Sequence, residues 1–325
     1  MTVFIVRRLM QSAIIVLVMT LLVFFGVMVI GDPMEILVTD DCDTACRAAA
    51  TVQLGLHLPL HEQYIVFIKN MLGGDLGRSF VFGTPVYKLL LERLPATLEL
   101  AVFSMTLTVV LGIPLGLWAG LKPDAWSSRL IMAGSIMGFS LPAFWFGIIL
   151  IVVFSIELGW LPAIGRGATV DVWGLRFSFL TPSGFAHLIL PAISLSLTQM
   201  ALIIRLTRSG VREAIHLDYI KFAHAKGLSS RRVVFVHLLK NILIPIVTVL
   251  GLEFGTLLAY SLVTETVFAW PGLGKLLIDS INLLDRPVVV TYLAITVLVF
   301  IVINLTVDIA YSLIDPRVRL HGAKR

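Results

Sequence analysis

Six apolar segments, each long enough to cross a lipid bilayer as a helix, constrain this sequence of 325 residues more than any other feature. A hydrocarbon core of roughly 30 Å requires about 20 apolar residues in an α-helix, because backbone polar groups find no water there. Only 14% of the residues are charged and 58% are hydrophobic, so the chain could not cover its apolar surface in water. The sequence therefore predicts an all-α membrane protein with six transmembrane helices. The predicted helices cover residues 9–30, 95–120, 130–158, 187–206, 242–264 and 288–314.

The basic residues between these segments predict the orientation of the chain. Arg7 and Arg8 precede the first apolar segment, which is too long for a signal peptide and lacks an Ala-x-Ala cleavage site, so we expect it to be retained. With the N-terminus in the cytoplasm, most Lys and Arg residues fall in cytoplasmic loops, as the positive-inside rule requires. The net charge of +5 is therefore interpreted as membrane topology rather than nucleic-acid binding, and both termini are expected to be cytoplasmic.

Two loops are too long to be simple turns, and they define the predicted domain organisation. Residues 1–30 form the first transmembrane helix, and 31–94 form a small external subdomain. A five-helix core follows at 95–316, and within it the cytoplasmic stretch 209–240 has helical character and both signs of charge. The last predicted part is a cytoplasmic tail at 317–325.

The two cysteines of the chain, Cys42 and Cys46, lie in the predicted external subdomain. A local disulfide is permitted there if the segment faces an oxidising compartment, and two free thiols are the alternative. A metal site would need His or further Cys close by, and only His57 and His61 are candidates. We predict no metal site.

Glu253 lies near the middle of the fifth apolar segment. A charged carboxylate at that depth costs roughly 2.5–3.5 kcal/mol on insertion scales, so the side chain should face protein or water. One hypothesis places Glu253 on a transport pathway, with Gln199 as a second lining residue. The alternative is a hydrogen bond between helices, from Glu253 to a polar side chain such as Gln199.

The sequence carries no motif of enzymatic chemistry. Residues 272–275 read Gly-Leu-Gly-Lys, but Ala269 stands where a phosphate-binding loop has its first glycine and Leu276 where it has Ser or Thr. The GxSxG, HExxH and paired CxxC patterns are absent from the sequence. We expect a transport protein that is not an enzyme and that binds no cofactor of its own. An ion gradient or another polypeptide would then supply the energy.

The cytoplasmic stretch 209–240 carries the most specific motif. From Asp218 it reads Asp-Tyr-Ile-Lys-Phe-Ala-His-Ala-Lys-Gly-Leu, followed by Arg-Arg at 231–232 and Ile-Pro at 244–245. This motif resembles the EAA loop of binding-protein-dependent ABC importer permeases, in the Ala-x-Ala-Lys-Gly-Leu form of the dipeptide/oligopeptide/nickel branch.

Further motifs of that branch occur along nearly the whole chain. They include Gly-Asp-Pro at 31–33, Gly-Asp-Leu-Gly-Arg-Ser at 74–79, Leu-Pro-Ala-Thr-Leu-Glu-Leu at 94–100, Gly-Trp-Leu-Pro at 159–162, Trp-Pro-Gly-Leu-Gly at 270–274 and Asp-Pro-Arg-Val-Arg at 315–319. Together they are similar to the B-type permease subunit of that branch. The resemblance implies the type I ABC importer permease fold in a bacterial inner membrane.

The resemblance also implies function and partners. It implies half of a translocation pathway for di- or oligopeptides or related solutes, such as a nickel chelate or glutathione. The implied partners are a second homologous permease in a heterodimer, one or two ABC ATPase subunits that bind ATP and magnesium, and an external solute-binding protein. A stand-alone ion-coupled secondary carrier is the alternative.

Two sets of residues receive roles from the resemblance. The set expected to couple to the ATPase is Lys221, Ala223, Ala225, Lys226, Gly227, Leu228, Arg231 and Arg232. The alternative for this basic loop is contact with anionic lipid headgroups. The set expected to face the binding protein is Glu265, Phe268, Pro271, Gly272, Leu273 and Gly274. Its Gly-Leu-Gly turn is expected to project an exposed tip into the cleft of that protein, and a structural cap on the sixth helix is the alternative.

Overall fold

The computed structural model describes residues 2–28, 51–52 and 57–314 of the chain, and helices dominate them. The helices are α1 (Thr2–Met28), α2 (Leu60–Leu72), α3 (Val86–Leu107), α4 (Ile113–Leu121), α5 (Trp126–Ser140), α6 (Ala143–Leu150), α7 (Pro182–Ala214), α8 (Asp218–Ala225), α9 (Leu239–Val267), α10 (Leu273–Asn282) and α11 (Arg286–Ile314). A helical turn at Ser230–Arg232 and the π-helical segment Val233–Leu238 lead into α9. The π-helical segment Thr108–Gly112 joins α3 to α4, and Ile151–Glu157 extends α6. The all-α prediction is confirmed.

One β-hairpin interrupts the helices. Its strands, β1 (Val170–Val172) and β2 (Leu175–Phe177), pair antiparallel with Asp171 opposite Arg176. The turn between them has positive φ at Trp173 and Gly174, 55° and 83°. Two consecutive left-handed residues match the right-handed twist of the strands, which explains why a hairpin this short forms.

The chain folds as two compact units, each discontinuous in sequence. One comprises Met1–Leu94 and Gly272–Val302, and the other comprises Pro95–Pro271 and Ile303–Arg325. The domain boundaries expected from the loops, at 31–94 and 95–316, stay a prediction.

Three continuous helical stretches are long and apolar enough to cross a membrane, at Val86–Leu121, Pro182–Ala214 and Ser230–Val267. Two shorter apolar helices, Ala13–Gly26 and Arg286–Val302, lie within α1 and α11. The number of spans, six, therefore stays a prediction. The second span begins at Val86, before Pro95 rather than after it, because the helix accommodates this proline in its interior.

The third apolar segment differs from the single span expected at 130–158. It consists of two helices, Trp126–Ser140 and Ala143–Glu157, bent by 109°. Leu141 and Pro142 between them have extended backbone, with ψ of 136° and 133°. A residue before proline is disfavoured in the helical region, and proline lacks the N–H that would continue the hydrogen-bond ladder. The pair counts as a fourth span only if it crosses the membrane as one bent element.

Helix α7 forms the centre of the second unit, and α4 packs on it through glycines spaced by four residues. A Cβ added at Gly116 would lie 2.6 Å from Thr207 Cβ, and one at Gly120 would lie 2.6 Å from Val211 Cβ. Helix backbones approach this closely only where small residues face the contact. The glycine spacing therefore serves packing inside this chain.

The first unit pairs α1 with α2 through aromatic side chains. The Phe24 ring lies 5.4 Å from the Tyr64 ring and 5.8 Å from the Phe67 ring. Thr20, which is 2% exposed, shares a hydrogen bond of 3.1 Å with the Tyr64 hydroxyl. These contacts hold the first helix of the chain to the helix at 60–72.

A buried carboxylate fixes a loop in the same unit. Asp285 is fully buried and accepts hydrogen bonds from the Ser79 hydroxyl and from the backbone N–H of Phe80 at 3.0 Å. The Ser79 hydroxyl in turn accepts from the Phe82 N–H at 2.8 Å. A buried carboxylate is tolerated here because hydrogen-bond donors surround it.

Candidate functional site

Helix α8 carries the centre of the loop that was expected to couple to an ATPase. Ile220 and Ala223 are 1% and 5% exposed and belong to a cluster of buried apolar side chains that includes Val211, Val233 and Leu238. The opposite face of α8 is open to the surroundings. A helix with one apolar stripe packs that stripe inward and leaves the rest of its surface for other contacts.

The exposed residues of this loop combine positive charge with apolar area. We call them the loop surface, and they are Lys221, Phe222, Ala225, Lys226, Arg231 and Arg232. Phe222 is 61% exposed, and the Lys226 ammonium lies 4.6 Å from the centre of its ring. Lys221 pairs with Asp218 at 3.0 Å, but both side chains are largely exposed, so this ion pair contributes little to stability. Exposed apolar area beside charged groups is typical of a protein–protein contact.

Gly227 ends α8 and sets the direction of the chain after it. Its φ is +72°, and its N–H donates to the His224 carbonyl at 2.9 Å, while the Leu228 N–H donates to the Ala223 carbonyl at 3.3 Å. Glycine is the residue that adopts this left-handed conformation without steric cost. No atom lies within 4 Å of a Cβ added there, so the site has room for a partner.

Ala223 and Leu228 are the least accessible residues of the predicted coupling set. Ala223 is buried in the core of this chain, and Leu228 is half-buried against the same cluster. The Ala223 side chain is therefore closed to direct contact, whereas Leu228 keeps part of its surface accessible, and the coupling role of both stays a prediction. Both side chains pack in the cluster that joins α8 and the turn after it to α7.

The residues expected to face a binding protein are largely buried, which corrects the expectation of an exposed tip. Glu265 and Phe268 are 0% and 2% exposed, and Glu265 lies within α9 rather than in a loop. The Glu265 carboxylate accepts a hydrogen bond of 2.7 Å from Thr97 and one of 3.2 Å from Ser261. Trp270 is also fully buried and donates through Nε1 to the Ala96 carbonyl at 2.9 Å.

The Gly-Leu-Gly sequence at 272–274 does not form a projecting turn. Gly272 precedes α10, and Leu273 and Gly274 are its first residues. Gly272 and Gly274 are buried, and Pro271 and Leu273 are half-buried. The expected role of these residues in contacting a binding protein stays a prediction, although the exposed tip that motivated it is absent.

A buried ion pair that the sequence analysis did not identify lies close by in the chain fold. Glu99 accepts hydrogen bonds from Arg166 Nη2 at 2.6 Å and Nε at 3.0 Å, and from the Ser178 hydroxyl at 2.9 Å. Arg166 also donates to the Arg176 carbonyl at 2.6 Å, which fastens the β-hairpin to α3. We call Thr97, Glu99, Arg166, Ser178 and Glu265 the carboxylate cluster.

A cavity of about 430 Å³ opens beside the bend between α5 and α6. It is lined mainly by apolar side chains, among them Phe139, Phe144 and Tyr260, and by the polar residues Gln199 and Thr264. Among the described residues, Gln199 Oε1 and Thr264 Oγ1 are buried without a hydrogen-bond partner. Buried polar atoms in native proteins are normally paired, so these two are candidates for contact with a solute or water.

Glu253 and Gln199, the two predicted pathway residues, lie in different settings. Gln199 lines the cavity, whereas Glu253 is half-buried on α9 and is not one of the cavity residues. Within the part of the chain that the structure describes, Glu253 has one hydrogen bond, from Thr256 Oγ1 at 3.3 Å on its own helix. Among the described residues, Glu253 and Gln199 share no hydrogen bond, and both interpretations of Glu253 stay predictions.

The remaining predictions concern metals and cysteines. Residues 2–28, 51–52 and 57–314 contain no group of three or more His, Cys, Asp or Glu that could hold a metal ion. Cys42 and Cys46 lie outside the described residues, so their disulfide stays a prediction.

Comparison with known proteins identifies families and relatives to which this chain is similar. The family model described as the inner membrane component of binding-protein-dependent transport systems matches residues 112–320, and the model of its N-terminal part matches residues 1–101. The chain is 41% identical to the di/tripeptide transport system permease protein DppB of Pseudomonas aeruginosa, over 92% of this chain and 94% of that protein. It is 38% identical to the glutathione transport system permease protein GsiC of Escherichia coli, over 97% of this chain and 98% of that protein.

Among solved structures, the fold is similar to a chain of the inward-facing MetNI methionine ABC transporter. The TM-score is 0.57 at 20% sequence identity, covering 70% of this chain and 97% of that chain. This similarity agrees with the permease fold that the motifs imply. The two family matches together cover nearly the whole sequence, so the chain belongs to the family of inner membrane components of binding-protein-dependent transport systems.

Proposed function

We propose that this chain forms half of the membrane passage of an ATP-driven importer, and that a second, homologous permease forms the other half. The observation that carries the proposal is the loop surface. It combines exposed positive charge with the exposed Phe222 ring, and it ends at a glycine with φ of +72° and free space around it. Such a surface suits a cytoplasmic ATPase with acidic and apolar groups in a cleft.

The solute that we propose is a small peptide. The relatives DppB and GsiC are named for the transport of di/tripeptides and of glutathione, and this chain is 41% and 38% identical to them. The cavity beside the α5–α6 bend supports the proposal, because aromatic walls with unpaired Gln199 and Thr264 oxygens can take an apolar side chain and a backbone or ammonium N–H. An external binding protein would deliver the solute.

Affinity purification tests the proposed assembly. The tagged chain is extracted from its native membrane in mild detergent, and the co-purifying proteins are identified by mass spectrometry. We expect a second permease of similar sequence and one or two proteins with ATP-binding motifs. A chain that purifies alone, even after cross-linking through 221–232, would contradict the proposal and favour a stand-alone ion-coupled carrier.

A matched pair of cysteine variants tests the contact itself. Ala225 is exposed on α8, and Ala223, two residues earlier, is buried. A thiol-to-amine cross-linker should join the Ala225→Cys variant to the ATPase and leave the Ala223→Cys variant unjoined. The unmodified chain measures the background cross-linking through Cys42 and Cys46. Equal cross-linking of both variants would show that α8 does not present the proposed face.

A further inference from the structure

The C-terminal end of α7 carries a pocket that neither the loop surface nor the cavity explains. We call it the arginine pocket. It has a volume of about 540 Å³ and is lined by Arg205, Arg208 and Arg212, together with Met132 of α5 and His216 after α7. The three arginines are spaced by three and four residues, so they project from one face of the helix.

Within the described residues, these arginines have no ion-pair partner. Among the residues that the structure describes, no carboxylate oxygen lies within 4.0 Å of a nitrogen of Arg205, Arg208 or Arg212. Glu213 also lines the pocket but does not pair with them. The Nε atoms of Arg205 and Arg208 are buried and have no hydrogen-bond partner in the described part of the chain. In the same unit, the buried Arg166 donates three hydrogen bonds to Glu99 and to a backbone carbonyl, which shows how a buried guanidinium is satisfied elsewhere in this fold.

Three neighbouring guanidinium groups repel one another, and each presents a fork of N–H donors. An oxyanion in the pocket offsets the positive charge and accepts hydrogen bonds from the N–H groups. Guanidinium groups match the oxygens of a phosphate in a bidentate geometry. The pocket is therefore built for an anion with several oxygens.

The surroundings indicate that the anion belongs to an amphiphile. Helix α5, which contributes Met132 to the pocket, exposes apolar side chains along its length, with Leu130 at 51%, Met137 at 60% and Phe139 at 56%. The Arg205 guanidinium lies 4.5 Å from the centre of the Phe139 ring, which places the charged pocket next to this apolar face. An acyl chain can lie along such a face while its headgroup meets the arginines.

We propose that the arginine pocket binds the phosphate of an anionic phospholipid, with an acyl chain along the exposed face of α5. Basic pockets between transmembrane helices at the cytoplasmic side suit anionic headgroups, and the orientation predicted from the basic loops places this end of α7 there. The site is distinct from the loop surface and does not depend on which solute is carried. The alternative occupant is a carboxylate of a neighbouring subunit.

Native mass spectrometry of the detergent-purified chain, with whatever subunits accompany it, tests the proposal. The protein is titrated with phosphatidylglycerol or phosphatidylcholine, and the retained lipids are counted. We compare the unmodified chain, the triple variant Arg205→Gln/Arg208→Gln/Arg212→Gln, and the control Arg129→Gln. Arg129 is exposed on α5 and does not line the pocket, so its loss changes the charge without touching the site.

We expect preferential retention of phosphatidylglycerol, weakened at least about tenfold in the triple variant and unchanged in the control. The single variant Arg212→Gln, whose side chain is exposed, should show a smaller loss and guards against misfolding of the triple variant. Equal retention in the triple variant and the unmodified chain would overturn the proposal.

Two further results would also overturn it. If about ten millimolar inorganic phosphate displaced phosphatidylglycerol, and if phosphatidylglycerol and phosphatidylcholine were retained equally, the pocket would be assigned to a free anion. Cross-linking of the pocket to an acidic residue of a co-purifying subunit, with no lipid retained, would assign it to a protein carboxylate.

Discussion

The loop surface and the carboxylate cluster lie in the same unit of the chain, and they use charged residues in opposite ways. Lys221, Lys226, Arg231 and Arg232 are exposed and nearly unpaired, whereas Glu265 is fully buried. The motifs of the resemblance run through both regions. The same kind of sequence signal therefore marks an exposed surface, which we propose contacts another protein, in one place and the internal packing of the chain in the other.

The difference has an energetic consequence. A charge at the surface is solvated, so replacing it changes the stability of the chain by about 0.5 kcal/mol or less. A buried charge is held by its partners, so removing one partner leaves the desolvated other without compensation. Substitutions in the carboxylate cluster should therefore act on folding, and substitutions on the loop surface should act on activity with folding intact.

The largest effect is expected from Arg166→Met. The substitution leaves Glu99 buried with Ser178 as its remaining hydroxyl donor, and breaking a buried ion pair costs about 3–5 kcal/mol. We expect the lower end of that range, because Ser178 and nearby backbone N–H groups still donate to the carboxylate. The measurement is thermal unfolding of the purified chain in detergent, together with its abundance in the membrane.

The double variant Glu99→Gln/Arg166→Met is the control. It removes both charges, so it should recover part of the lost stability, and the double-mutant cycle then isolates the ion pair. If Arg166→Met were as stable as the unmodified chain, the ion pair would contribute no more to stability than the exposed charges of the loop surface.

Gly227→Val comes next, with a moderate effect on stability and a large one on transport. A β-branched residue at φ of +72° costs about 1–2 kcal/mol, and the free space around the site shows that this cost is conformational rather than steric. The turn after α8 should change direction and move the loop surface. We expect normal membrane insertion and at least about tenfold slower uptake of a labelled dipeptide.

Gly227→Asn is the matched variant, because asparagine enters the left-handed region more easily than other non-glycine residues. Its uptake should lie between that of Gly227→Val and that of the unmodified chain. Normal uptake by Gly227→Val would remove the turn from the coupling mechanism and weaken the contrast between the two regions.

The EAA-like motif indicated every residue of the loop surface except Phe222, whereas no short-range pattern predicted the carboxylate cluster. The turn at Gly227 follows from the conformational freedom of one residue. Glu99 meets Arg166, 67 residues away in the sequence, through a hairpin that only the folded chain brings back to α3. No short-range pattern carries that contact.

Two other differences between the predicted and the observed structure also arise from contacts between distant parts of the chain. The burial of Glu265 depends on donors from Thr97 and Ser261, of which the first lies on another helix. The bend at Leu141–Pro142 coincides with a proline, but hydropathy averages over such a break and predicts one span. Segment length and apolar composition thus predict where helices occur, and tertiary contacts decide their continuity and which charges they bury.

Removing the charges of the loop surface should have a smaller effect on folding than Arg166→Met or Gly227→Val. In Lys221→Gln/Lys226→Gln/Arg231→Gln/Arg232→Gln, we expect the unfolding free energy to change by about 0.5 kcal/mol or less. Stimulation of the associated ATPase by loaded binding protein should fall several-fold. High salt should weaken the same stimulation in the unmodified complex, because it screens exposed charges.

The exposed residue Lys240, outside the loop surface, provides the control. Lys240→Gln should leave ATPase stimulation unchanged. Loss of stability in the fourfold variant, or equal loss of stimulation in Lys240→Gln, would mean that the loop surface does not act through its specific charges.

The smallest effect on stability, and the most selective one on transport, is expected from Glu253→Gln. Glu253 belongs to neither the loop surface nor the carboxylate cluster. It is half-buried in an apolar helix, and its carboxylate accepts one hydrogen bond, from Thr256 on the same helix. A glutamine accepts the same bond, so folding should be unaffected. A carboxylate on the pathway would attract a cationic solute, since hydrogen bonds between charged groups are stronger than neutral ones. Uptake of a lysine-containing dipeptide should therefore fall several-fold, and uptake of a neutral dipeptide should persist. An equal rate for the lysine-containing dipeptide before and after the substitution would remove Glu253 from the pathway and place it with the residues that serve only the helix.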